Sequence, residues 1–408
     1  MWLKVPRKFR ALSLGGFLTV FAGLALPAFS QPLDSSSTAA SQWQTHILAP
    51  STNSTEASPR TWDAKWSFGA AGRSVSEGTD SENQIANQQV FDSALNLGVN
   101  YWMTNEFFFT FEPTLRFQSG RVQALDDAGK TSNTISIRQA AVKWLPSNYV
   151  WLAAGALNEG EIHSSLVSDD LPFPGARATL KAHPQDWELS LTGESSIPSS
   201  NSLQTNTTHV EAVPVKNTLQ GQVLWQPKPY LSVKNRLSYY SFQNLPSEVA
   251  DASSLLGNTT TRINEVESAF TYKYQGVEAT SDWQLPLLKK VDWLIQAAAA
   301  QNQAAPVGIN TGYSAYSGFR YLMNSRHDFT VGGRYFRVEP DVAPAFYSNQ
   351  ANFRTNRVGY SAEAKWHLKK EKFTISTAYT EAQVIYQDPA QSRLRGVEIR
   401  LETDYDSL

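Results

Sequence analysis

The side chains able to do chemistry in this chain are mostly charges that return at every second position. One basic set shares a single phase: Arg116, Arg138, Lys181, Lys234, Arg236, Arg320, Arg334, Lys365 and Arg400. Glu112, Glu188, Glu278, Asp282, Asp292, Glu363, Glu398 and Glu402 fall in the same phase. A separate acidic group, Glu159, Glu161, Asp169 and Asp170, sits in one loop-like stretch, "NEGEIHSSLVSDDLPFPG", at 158–175. Rows of both signs on one wet face can set a local field. The plainer reading is that they are solvated or pair with one another.

Bond-making chemistry finds little support. Cysteine is absent, so thiolate catalysis, disulfides and cysteine metal sites are excluded. No Walker loop, dinucleotide fingerprint, H-E-x-x-H or G-x-S-x-G occurs. His163 stands beside Ser164 and Ser165 and near Asp169, and the trio could be written as base, nucleophile and orienter. Triads are assembled in space, so closeness in sequence is poor evidence for one. His183 and His327 fall in expected turns, His46 and His209 in leader or loop. The reading is of no enzyme, no cofactor and no metal.

The elements that must carry the charges are strands. In "EFFFTFEPTLRFQSG", 106–120, Phe107, Phe109, Phe111, Leu115 and Phe117 share one side, while Glu112, Thr114 and Arg116 take the other; Phe108 fits neither. The same period of two runs from Thr61 to the end of the chain, in segments near strand length, and helical periodicity is nowhere sustained. Connections alternate. Short ones include 103–105, 146–148, 183–186, 226–229, 324–327 and 368–372; long ones span roughly 72–87, 120–132, 158–173, 196–215, 243–261 and 340–354. The phase breaks at "YQG", 274–276, and a bulge at Gly276 restores the alternation. The total is then about sixteen strands, with eighteen the neighbouring even count, and both termini lie on the short-turn side.

Aromatic residues make up 12% of the chain and gather beside the short turns. Trp62, Tyr101, Trp102, Phe107, Trp144, Tyr149, Trp151, Trp187, Trp225, Tyr230, Trp283, Trp293, Phe329, Trp366 and Phe373 form a girdle there, as at a membrane interface. A mean hydropathy of −0.36 normally reads as soluble. Barrels that alternate apolar and polar residues also average to polar. The competing fold, a large soluble β-sandwich or propeller, would scatter its tryptophans, and no blade-length repeat is visible. A net charge of −2 and the lack of a long basic block give no sign of a nucleic-acid partner.

The first sixty residues are of other kinds. Lys4, Arg7, Lys8 and Arg10 precede the apolar "ALSLGGFLTVFAGLALPA", and Ala28-Phe29-Ser30 offers small residues for cleavage. We expect an export signal over 1–30, cut near Ser30, and a flexible Ser/Thr/Pro-rich leader over 31–60. The expected fold class over 61–408 is all-β: a transmembrane antiparallel up-and-down barrel with short periplasmic turns and long external loops.

Strand alternation, turn asymmetry, girdle and export signal together make 61–408 resemble the outer-membrane porins of Gram-negative bacteria. The resemblance implies a bacterial outer-membrane location, contact with outer-membrane lipid and a homotrimer of water-filled barrels. It also implies that the third external loop, here 158–175, folds inward to narrow the bore. In the final strand the family's insertion signal would match Gly396, Ile399 and Leu401, with Leu408 where the family usually has Phe. The function expected is passive diffusion of small hydrophilic solutes or ions. An acidic inward loop facing wall arginines, Arg116 and Arg138 above all, would orient dipolar solutes and exclude apolar ones. The alternatives are a non-conducting structural or adhesive barrel whose loops bind a partner, and a carrier for apolar substrates.

Overall fold

The computed structural model describes residues 62–78, 84–124, 133–200, 203, 207–348, 354–404 and 406–407. The export signal and leader expected over 1–60 lie outside the described residues. Sixteen wall strands form one antiparallel sheet, to which the two-residue piece Asp406–Ser407 adds a short pairing with the first of them. They are β1 (Trp62–Gly78), β2 (Gln84–Trp102), β3 (Phe107–Ala124), β4 (Thr134–Ser147), β5 (Val150–Asn158), β6 (Pro172–Ala182), β7 (Trp187–Ser196) and β8 (Val215–Lys228), then β9 (Leu231–Gln243), β10 (Tyr274–Leu288), β11 (Val291–Asn302), β12 (Thr311–Leu322), β13 (His327–Val338), β14 (Arg357–Leu368), β15 (Phe373–Val384) and β16 (Leu394–Thr403). Each pairs with its sequence neighbour. The sheet closes where β1 meets β16, from Gly69↔Glu402 to Glu77↔Leu394. Closure leaves no row of unpaired N–H and C=O groups, which is what an apolar surrounding demands.

The two faces of the wall are inverted relative to a soluble protein. On β16, Val397, Ile399 and Leu401 are exposed on the outside, with Glu398 and Arg400 facing in. On β9, Leu237 and Tyr239 are exposed, and between and beyond them Ser238 and Tyr240 are buried inside. A belt of exposed Leu, Ile, Val, Phe, Tyr and Trp therefore surrounds the barrel, far larger than a soluble monomer tolerates. No helix among the described residues is long and apolar enough to cross a membrane.

Seven connections are tight, at 103–106, 148–149, 183–186, 229–230, 289–290, 323–326 and 369–372, and both sheet termini lie at that end. Asn324 shapes one of them, its side chain accepting from the amides of Arg326 (2.7 Å) and His327 (2.9 Å). At the opposite end the third loop (L3) covers 159–171, the fifth (L5) 244–273 and the seventh (L7) 339–356. L5 holds a helix, α1 (Ser247–Ser254), and a small hairpin pairing Thr260–Arg262 with Ser268–Phe270.

These loops pack together inside the long-loop end. Leu166 and Val167 of L3, Val249 of L5, and Val342, Ala343 and Tyr347 of L7 form one buried cluster with inward wall residues Phe173, Tyr240, Phe242, Tyr274, Phe336 and Val338. Tyr347 stands edge-on to Phe173 (centroids 5.3 Å apart) and parallel to Phe242 (6.0 Å). The Tyr240 hydroxyl donates to the Val342 carbonyl at 2.8 Å.

The structure corrects several sequence expectations. The register between β9 and β10 is unbroken from Tyr274 to Gln284, so Gly276 is not a bulge. The phase break arises because Ser268–Phe270 belongs to the L5 hairpin and the wall resumes only at Tyr274. The first long connection is shorter than 72–87, because β1 runs to Gly78 and β2 begins at Gln84. Trp102 and Trp151 leave the girdle for the inner face. Trp102 stacks on inward Phe108 (4.2 Å), and Trp151 lies under the Lys181 ammonium (4.0 Å).

Tyr347→Ala should remove a fully buried ring and cost the loop cluster about 3–5 kcal/mol. The expected result is faster protease cleavage within 339–348, while the folded barrel keeps its compact migration on unheated gels.

Candidate functional site: the charged inner wall and the third loop

L3 is bound to the inner wall by buried charges. It leaves β5 and returns into β6, yet its residues reach inward side chains on β8 and β10. The ammonium of Lys216, on β8, meets the Glu159 carboxylate with both side chains at 0% exposure. Ser196, on β7, donates toward Glu159 (3.3 Å) and Glu194 (3.2 Å). Arg177, on β6, gathers three groups: Glu194 through Nε (2.6 Å), the Asn158 carbonyl through Nη2 (2.8 Å), and the Glu161 carboxylate through Nη1. Gln139 on β4 also donates to Glu161 at 3.2 Å.

His163 fixes the far end of the loop. Its Nδ1 lies 2.7 Å from Glu278 Oε2 on β10, and its Nε2 lies 2.9 Å from Thr218 Oγ1 on β8. The Ser164 amide donates to the other Glu278 oxygen at 2.8 Å. Both ring nitrogens of the histidine that could have been read as a catalytic base are therefore engaged with the wall. Ser164 meets Glu278 through its backbone, and the Asp169 amide is tied to Tyr347 across in L7 at 2.9 Å. Among the described residues no cluster of three His, Asp or Glu could hold a metal ion.

Burial sets the electrostatics of the loop. It lowers the His163 pKa to about 4, with Lys216 adding to the effect, so the ring is neutral at neutral pH. Burial pushes the Glu159 carboxyl up, against the pull of Lys216. Burial also works to raise Glu161, but Lys143 and Arg177 outweigh it and hold that carboxyl low.

The bases named from sequence all carry their side chains on the inner face, and most meet an acid or amide there. Arg138 Nη2 donates to Asp170 of L3 at 3.0 Å. A β-bulge aims it: Glu112 faces Gln139 and Pro113 faces Ile137, leaving Arg138 as the extra residue. Pro113 has no N–H for the ladder, so the register slips there, and both Arg138 and Gln139 turn inward. Arg116 instead meets Asp92 on neighbouring β2, its Nε at 3.0 and 2.8 Å from the two oxygens. Its side chain remains 46% exposed. Elsewhere Lys181 meets Glu188 (3.1 Å), Arg236 meets Thr280 (2.9 Å), and Arg320 meets Asp292 (3.2 Å). Lys365 pairs with Glu363 (3.4 Å) and Arg400 with Glu398 (2.7 Å), and Lys234 stands in register with Asp282. Arg334 donates to Gln296 at 3.0 Å and lies 5.7 Å from the Tyr316 ring. That ring lies over paired glycines, Gly318 and Gly332, where a Cβ at either would collide with the phenol, and its hydroxyl donates to Glu363 at 2.8 Å.

No protein-family model matches this chain, and no curated protein matches it. Among solved structures, the chain is similar to the high-pH structure of Pseudomonas putida OprB, with a TM-score of 0.53 at 12% identity over 85% of this chain and 94% of that one. The chain has a porin-like barrel fold. Acinetobacter baumannii OccAB1 (TM-score 0.49, 11% identity, 86% and 97% covered) and Salmonella typhi OmpF in complex with daunomycin (0.47, 9%, 85% and 100%) are similar at lower scores.

Within this porin-like barrel, the sequence reading missed Arg177, Glu194 and Lys216. Arg177 shares the phase of Lys181 and was legible by that signal. Lys216 lies just past the long connection expected over 196–215 and ahead of the apolar alternation of β8, which starts only at Leu219. Glu77, within the first long connection expected over 72–87, lies on β1, where it accepts from the Ser392 amide (2.8 Å) and from Arg357. Position 408 of the expected insertion signal lies outside the described residues.

Lys216→Met should strand Glu159 in a dry site and cost L3 anchorage about 3–5 kcal/mol, and adding Glu159→Gln should restore much of it. Hydrogen exchange of 159–171 reads both. The His163 pKa is depressed in the fold, so its contribution is complete above the unfolded value of about 6.5. The protection of L3 relative to the intrinsic exchange rate should therefore fall as pH drops from about 6.5 toward about 4, and His163→Gln should flatten that dependence.

Proposed function

We propose that this protein is an outer-membrane channel through which small hydrophilic solutes or ions diffuse passively, with L3 narrowing the bore. The observation that carries the reading is the inverted wall: apolar groups outside, and charged and hydrogen-bonding groups inside a closed ring of sixteen strands. A ring of that size is too wide for wall side chains to fill. On this reading residues 1–30 are an export signal cut near Ser30, and 31–60 are a periplasmic leader. The short turns face the periplasm, the barrel contacts outer-membrane lipid, and three copies assemble as a homotrimer.

The route is eccentric. Inward groups on β8 and β10, such as Lys216, Thr218 and Glu278, are buried beneath L3. Those on β3 and β16 stay more open, with Arg116 at 46% and Arg400 at 25% side-chain exposure. The path follows the wall of β16 and β1–β4 and passes the Arg138–Asp170 pair. The other inward bases, Lys181, Lys234, Arg236, Arg320, Arg334 and Lys365, line the wet wall around it. The second reading, a non-conducting barrel whose outer loops bind a partner, is favoured by the dry cluster that joins L3, L5 and L7.

Purified protein in planar bilayers separates the two. Stepwise, ohmic conductance is expected, and silence at every voltage would favour the non-conducting barrel. In a salt gradient, Arg116→Gln with Arg138→Gln should move the reversal potential toward cation preference; an unchanged potential would remove both residues from selectivity.

A further inference from the structure

We infer that the outer surface of β13–β16, at the long-loop end, binds the phosphate-bearing headgroup of a lipid in the membrane leaflet on that side. The surface is built around one outward carboxylate. Glu381, on β15, accepts from the Tyr360 hydroxyl (2.9 Å), the Tyr379 hydroxyl (2.9 Å) and Arg393 Nε (2.7 Å), which leaves its side chain only 10% exposed. Arg395 stands 3.7 Å from the same carboxylate, beyond hydrogen bonding, and is 53% exposed. Arg393 is 40% exposed. Two strands away Arg337, 32% exposed, pairs with Glu339 at 3.2 Å. Three guanidinium groups thus face two carboxylates, and the surplus is positive.

Depth selects a headgroup over an acyl chain. Tyr313, Tyr335, Tyr360 and Tyr379 form an aromatic row on the outer face of β12–β15, with Tyr335 in register with Tyr360 and Tyr360 with Glu381. From Trp366, near the short turns, to Tyr360 the strand covers roughly 20 Å at about 3.3 Å per residue, which at a strand tilt of about 40° is roughly 15 Å of depth, more than half of the apolar band of such barrels. Arg337 is in register with Tyr313 and Arg395 with Glu381, and Arg393 lies two residues further toward the loops, so the charges sit among the tyrosines that mark an interface and meet headgroups. A planar guanidinium presents paired donors that match a phosphate, and Arg395 has such donors to offer. On β8–β11 the outward positions at this end are uncharged: Val215 on β8, Gln243 on β9, Gln275 on β10 and Gln301 on β11. A second copy of the chain is a poorer occupant, because the centre of the patch is ionic where a stable subunit contact needs an apolar core.

The test is native mass spectrometry of the whole protein in neutral detergent, titrated with diphosphorylated lipid A and, separately, with its dephosphorylated form. The wild type should retain the phosphorylated lipid and lose the other. Arg393→Gln with Arg395→Gln should weaken retention about tenfold or more, the scale expected for two arginines beside a charged headgroup. Arg121→Gln, on the outer face of β3, should leave it unchanged. Arg395→Gln alone removes no hydrogen bond described here, so it carries the test if the double variant fails to fold. Equal retention by these variants, or equal retention of the dephosphorylated lipid, overturns the inference. So does efficient copy-to-copy crosslinking through Arg395→Cys in a chain that has no other cysteine. None of these readouts depends on whether the barrel conducts.

Discussion

The structure depends on one constraint. A backbone surrounded by apolar material must satisfy every N–H and C=O within itself, and a sheet does that only by closing. The pairing of β1 with β16 meets this requirement. Once the ring is closed, the two-residue period of a strand sorts every side chain to one of two sides. The outer side is matched to oil, and the inner side becomes the place where charge can be stored. Charge rows, girdle and polar interior are consequences of that sorting.

The inner side is not uniformly wet. L3 takes Glu159 and His163 into full burial, where a lone charge would be very unfavourable, and each arrives with a partner already on the wall. Lys216 ties the ionic network to the apolar one, its ammonium lying 5.6 and 5.7 Å from the Phe173 and Phe242 rings. The loop is therefore a fixed part of the interior, held by geometry that charge pairs specify better than apolar contact alone. The dry cluster of L3, L5 and L7 fills one side of the long-loop end and leaves the opposite wall more open.

Much of this was legible in the sequence, and what was not has physical causes. Period two revealed the strands because one face had to be apolar along its whole length, as Val397, Ile399 and Leu401 show. Phase alone placed Arg138 and Arg400 on the inner face. It failed at Trp102 and Trp151, because a tryptophan beside a short turn looks the same whether it faces lipid or stacks on Phe108 or Lys181. It misplaced the phase break at Gly276 because a loop hairpin alternates just as a wall strand does. Partners were the least legible of all. Arg116 was expected to face the acidic loop and instead meets Asp92, a choice made by a neighbouring strand and not by anything near Arg116 in sequence.

The Gly318–Gly332 pair beneath Tyr316 has its own consequence for the wall. Two hydrogens are all that separates that phenol from the backbone, so the ring lies flush, as panelling on a thin partition. A methyl group at either position would lift the ring away from the sheet, strain its bond to Glu363 and push an aromatic edge into the interior. On that arc the clearance available to anything inside is set by the smallest side chains in the strand, not by the largest.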